Sequence, residues 1–167
     1  LEGEGRILTP AQNVDWLAFP DCELSRFQGR REAAEGEPEF AGYTGLQNAF
    51  TEVLRRVRPN QVFVPTYADL HPDHRIVYSE LMISCFHATG EIWPELGPAL
   101  ESTPYTHEMA VYCNFPTPPK LRLRVPRTAL AKKLKAISQF QSQKQISSIV
   151  KMVEKAGPQE YLRPADI

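Results

Sequence analysis

Two histidines with an aspartate between them, His71-Pro72-Asp73-His74, follow closely on a short apolar run, Val62-Phe63-Val64, that ends at Pro65. Residues of these types in this order can do chemistry. Imidazole nitrogen is a good ligand for Zn²⁺, and a catalytic zinc usually takes three protein ligands and keeps one position for water. A separation of three residues lets both rings face one cavity where a turn enters a helix. One ring can then ligate while the other serves as an acid or as a donor to an oxygen that gains charge. Asp73 can orient an imidazole through its Nδ1–H or contact the free amides of a helix start. A purely structural role is equally open: Pro72 and Asp73 make a capped helix start, with both histidines at the surface.

The flanking pattern says what positions this turn. Leu46, Ala49, Phe50, Val53, Leu54 and Val57 lie on one stripe of a helix over 44–57, with Thr44 as N-cap and Pro59 limiting its end. Residues 61–66 read as a central parallel strand buried on both faces. A second helix starts at Pro72 or Asp73 and runs to about residue 88, with Val77, Leu81, Ser84/Cys85 and Ala88 recurring every three or four residues. Side chains at the carboxyl end of such a strand are where an α/β domain collects its ligands and catalysts. Val14–Phe19 reads as a short strand, 32–38 as an exposed acidic loop and 90–104, rich in proline and glycine, as a loop. His107–Cys113 and the alternating Leu121-Arg-Leu-Arg-Val125 read as strands. Two helices close the chain, one through Leu130, Leu134, Ile137 and Phe140 and one through Ile146, Ile149, Val150 and Val153, the latter stopped by Gly157-Pro158. The order of elements predicts an α/β layer with a mostly parallel sheet in a three-layer, Rossmann-like sandwich.

A chain of 167 residues holds one core of ordinary size, so a single domain is expected, with 120–157 contributing a strand and basic helices to it. The net charge of −1 gives no global field for nucleic acid or an anionic membrane. It conceals an asymmetry: residues 1–39 hold nine acidic against four basic side chains, and residues 120–155 hold ten basic against one acidic. The basic stretch is either a solvated face of two amphipathic helices or a docking face for an acidic partner. It lacks the aromatic interleaving of a nucleic-acid binder. Cys22, Cys85 and Cys113 are odd in number and far apart, which fits reduced thiols and a cytoplasmic setting better than a disulfide framework. No apolar stretch is long enough for a transmembrane segment.

Beyond the bare spacing, Asp69-Leu-His-Pro-Asp-His-Arg75 after an apolar strand resembles the second signature of the PIG-L/LmbE-like deacetylases. These are zinc-dependent amidohydrolases that remove acetyl groups from N-acetylglucosamine-type sugars. Phe19-Pro-Asp-Cys-Glu-Leu24 resembles the family's F/Y-P-D-G-x-L segment, with Cys22 in place of glycine. Thr106–Tyr112 resembles the following strand, and Lys132–Ile137 with Ser142-Gln143 resembles the K-x-x-A-I…S-Q helix. The similarity spans roughly residues 14–145. It implies His74 as a zinc ligand, His71 as the group that stabilises the tetrahedral intermediate, Asp73 as support for the histidines and Asp21 on the substrate side. It also implies a small amino-sugar conjugate as substrate.

The family's first signature, A-H-P-D-D-E, which carries the remaining zinc ligands and the catalytic base, is not in this sequence. His87 and His107 have no aspartate beside them and read as packing and rim residues. Two expectations follow. In one, the first strand–helix segment exists as a cleaved piece, a second chain or part of a longer protein, and completes the site; the start at Leu1 without methionine agrees with a processed or trimmed product, and a homo-oligomer is compatible with the open sheet edge. In the other, the chain is a degenerate, non-catalytic homologue that works as an interaction module through its basic C-terminal face.

Overall fold

The computed structural model describes residues 14–140 and 144–165. They form two compact units, one of residues 17–121 and 162–165 and the other of residues 14–16, 122–140 and 144–161. The expected Ser142-Gln143 signature lies outside the described residues.

The first unit carries the histidine turn. A two-residue antiparallel ladder joins β1 (Arg31–Glu32) to β2 (Tyr43–Thr44), with Arg31 opposite Thr44. Helix α1 (Leu46–Val57) follows directly. Its N-cap is Gly45 rather than Thr44, which is fully buried inside β2. Gly45 holds φ 110°, and a Cβ there would collide with the carbonyl oxygen of Gly29, so only glycine can make this junction. Leu46, Ala49 and Leu54 face inward as the stripe predicts, and Arg58 closes the helix in the left-handed region with its N–H on the Leu54 carbonyl.

Strand β3 (Gln61–Pro65) runs parallel to β4 (Tyr105–Met109), Phe63 opposite His107. Helix α2 (Pro72–Thr89) packs against α1 and β3. Val62, Leu81, Leu54, Cys85, Ala88 and Leu100 form a common apolar cluster on this side. The other side of β3 is not covered among the described residues: Phe63 is 48% exposed and stacks on His107. The expected doubly buried strand is therefore buried on one face only, and β3 has β4 as its one neighbour among the described residues.

The next neighbour of β4 is the C-terminal half of β6 (Gln159–Pro164), antiparallel, with Glu108 opposite Arg163. The sheet is thus mixed, with one parallel pair, and the expectation of a mostly parallel sheet is corrected; the fold class is α/β. The join is polar: buried Glu108 accepts Thr66 Oγ1–H at 2.5 Å and Arg163 Nη2–H at 2.6 Å.

In the second unit, β5 (Leu121–Arg124) lies beside β6, followed by α3 (Arg127–Ile137) and α4 (Ile146–Ala156). The alternating Leu-Arg pattern does form a strand, but all four residues are exposed. The two helices pack on each other without burying any described residue, and Lys133 pairs with Glu160 at 2.6 Å. Residues 14–19, read as a strand, have no regular structure.

Candidate functional site

The turn after β3 is organised by Asp69, a residue outside the His-Pro-Asp-His spacing. Asp69 is fully buried, and its carboxylate collects donors from three directions. Oδ1 accepts the His71 N–H at 2.9 Å, Oδ2 accepts the Tyr112 N–H at 3.1 Å, and Oδ1 stands 3.1 Å from Nδ1 of His74. That last contact is at ion-pair distance but falls short of hydrogen-bond geometry, and the buried Nδ1 of His74 has no hydrogen-bond partner. Burial works to raise the Asp69 carboxyl; the N–H groups of His71 and Tyr112 and the imidazole of His74 outweigh it and hold the group below its ordinary value. Arg75 reinforces the turn from outside by donating to the Asp69 carbonyl at 2.9 Å.

His71 is the N-cap of α2, in extended conformation, and Pro72 takes the first helical position as expected. Nδ1 of His71 accepts the backbone N–H of Asp73 at 3.2 Å. The two imidazoles come together with centroids 4.9 Å apart, and His74 stacks on Tyr112 at 5.4 Å with ring planes 10° apart. His74 is thus fixed by a carboxylate at one edge and an aromatic ring on one face.

The Asp73 carboxylate does not reach an imidazole. It accepts the backbone N–H of Cys22 at 2.7 Å, so Asp73 supports His71 through its main chain and anchors the 19–24 segment through its side chain. Asp21 and Cys22 are exposed, and with Asp73 they bring potential ligand atoms within 4.8 Å of one another. Cys22 has φ 62°, a backbone state that glycine adopts freely and other residues rarely. The Asp21 carboxylate, then burial and Asp73, push the Cys22 thiol up, which opposes the thiolate a metal would need.

The other candidates are elsewhere. His87 lies against Trp93, ring centroids 4.6 Å apart, and is held below the usual imidazole value by burial and by Arg55. His107 sits under Phe63 on the open side of the sheet. Trp93 stacks beneath the Arg30 guanidinium with Tyr43 above it, and Tyr105 is 78% exposed. Asp69 and Tyr112 both stand in segments that carry the resemblance, but the sequence assigned neither a role in the site; the contacts to His74 do.

Searches for a matching family model and for a similar curated protein find none. Solved structures do share the fold. GalB, the 4-carboxy-2-hydroxymuconate hydratase from Pseudomonas putida, aligns with a TM-score of 0.57 at 17% identity over 73% of this chain and 58% of its own. The conserved protein TT1542 from Thermus thermophilus aligns with a TM-score of 0.55 at 22% identity over 71% of this chain and 56% of its own. The chain therefore spans less than two thirds of the length of either. Its α/β fold is one that an enzyme uses. No helix among the described residues is long and apolar enough to cross a membrane.

Proposed function

We propose that the complete protein is a zinc-dependent hydrolase of the PIG-L/LmbE-like kind, removing the acetyl group from an N-acetylglucosamine-type conjugate. The observation that carries the reading is the Asp69–His74 contact at 3.1 Å, with His71 packed beside it. A metal-ligating histidine characteristically gives its second ring N–H to a carboxylate. The donor set fits zinc in part: His74 offers an imidazole already backed by Asp69, and the remaining ligands come from a further segment of the complete protein. Asp21, Cys22 and Asp73 make a poorer set, because the Asp73 carboxylate is engaged by the Cys22 N–H and Asp21 pushes the thiol pKa up, away from the thiolate. The left-handed Cys22 also supports the resemblance, since the matching family position is glycine.

Zinc, when bound, supplies Lewis acidity to water and to the amide carbonyl. The chain's own residues do the rest. His74 would hold the ion, and His71 would donate to the carbonyl oxygen as it gains negative charge. Asp73 keeps the 19–24 segment against the turn, which presents Asp21 to sugar hydroxyls.

A second reading is hydration of a carbon–carbon double bond, which also needs activated water and a nearby hydrogen-bond donor; the fold shared with the GalB hydratase favours it. The test gives the native full-length protein two substrate sets, N-acetylglucosamine conjugates and unsaturated hydroxy-dicarboxylates, with and without chelator. Chelator-sensitive acetate release is expected. Water addition to the second set without acetate release would replace the deacetylase reading, and no turnover of either would favour the non-catalytic module.

A further inference from the structure

We infer that the two histidines of the turn are locked in opposite tautomers, His74 with its proton on Nδ1 and His71 with its proton on Nε2, and that Asp69 is the residue that positions the first. The meaning of this arrangement rests on the proposed function, but its origin lies in the contacts alone. A neutral imidazole has one donor and one acceptor nitrogen, and the partner of one decides the other.

For His74 the buried Nδ1 lies 3.1 Å from a carboxylate oxygen and has no hydrogen-bond partner elsewhere among the described residues. The Asp69 carboxylate already accepts the main-chain N–H groups of His71 and Tyr112, so it faces Nδ1 as an acceptor, and Nδ1 is the nitrogen that carries the proton. Nε2 is left with its lone pair, the form a metal ligand needs. His71 is arranged the other way round. Its Nδ1 faces the N–H of Asp73 at 3.2 Å, a group that can only donate, so Nδ1 must accept and Nε2 carries the proton. The capping bond that starts α2 therefore also makes His71 a donor at Nε2. Two chemically identical side chains, 4.9 Å apart, are given complementary tasks by one carboxylate and one peptide N–H. His71 can then stabilise an oxygen that gains charge by donating a hydrogen bond, with no change in its own protonation.

The experiment is long-range ¹H–¹⁵N correlation on the ¹⁵N-labelled full-length protein, stripped of metal and at alkaline pH where imidazoles are neutral. The expected pattern is a protonated Nδ1 with bare Nε2 at His74 and the reverse at His71. The same tautomer at both rings, or a proton on Nε2 of His74, would overturn the inference. In Asp69→Asn the preference at His74 should weaken or reverse, because an amide can donate as well as accept, while His71 keeps its tautomer. Loss of the preference at both rings would show that Asp69 merely holds the turn together. Because the sample contains no zinc, opposite tautomers in a protein that never binds zinc would leave this inference standing and remove the functional one.

Discussion

Replacing His71 with alanine in the complete protein is expected to slow acetate release by about 100- to 1000-fold while zinc stays bound, the usual loss for one donor to a developing oxyanion. The asymmetry follows from the contacts. His74 is the ring backed by a carboxylate, whereas His71 is backed by a peptide N–H and has only a donor to offer. The fold should survive, since the change removes one capping acceptor, worth about 1 kcal/mol. The effect should fall on kcat rather than KM, because the bond gains its strength only as charge accumulates. A change confined to KM, or loss of metal along with activity, would exchange the roles of the two rings.

The second large effect concerns stability, at a residue far from any chemistry. Arg55 is 3% exposed and its guanidinium donates to six main-chain carbonyls: His87, Ala88, Gly90, Ile92, Trp93 and Gly97. It closes the C-terminal end of α2 onto the proline- and glycine-rich loop that has no strand or α-helix of its own. Its hydrogen bonds are all to neutral acceptors, and burial lowers its pKa while Glu95 opposes that. Arg55→Met keeps the stem but leaves the Gly90, Ile92 and Gly97 carbonyls without a donor, while those of His87, Ala88 and Trp93 keep a main-chain N–H. With ~1–3 kcal/mol for each buried acceptor left without a donor, a loss of about 3 kcal/mol is expected. Arg55→Lys, with three donors, should recover part of it. Urea unfolding of the three proteins measures this directly, and a loss under about 1 kcal/mol for Arg55→Met would mean that the loop is held by other contacts.

Arg55 also shows where the sequence stops being informative. It stands between Leu54 and Val57 in a helix whose apolar stripe places it at the solvent-facing margin, and nothing local reveals six carbonyls arriving from 32 to 42 residues later. Buried Glu80, which accepts the Gly29 N–H at 2.6 Å, and buried Asn48, which binds the Phe40 and Tyr43 carbonyls, are hidden for the same reason. Their partners are main-chain groups brought together by the fold. Strand β6 was invisible too: Gln159–Pro164 buries only Leu162, and its pairing with β4 comes from the long-range Glu108–Arg163 match.

What was legible has local causes. Helix α1 follows from its stripe, α2 from Pro72 at its first position, and the strand–turn–helix order from the Val-Phe-Val run between them. The candidate site was half legible. The motif marked His71, Asp73 and His74, but the division of labour between Asp69 and Asp73 was not readable. Both aspartates lie near the histidines in sequence, and only the path of the turn decides which carboxylate meets an imidazole and which meets Cys22.

The central claim is that His74 is a zinc ligand in the complete protein, and elemental analysis of native full-length protein and its His74→Ala variant tests it most directly. The account predicts close to one zinc per wild-type chain and almost none in the variant, with both folded. Equal zinc in the two proteins, or a metal-free wild type that still releases acetate, would contradict it.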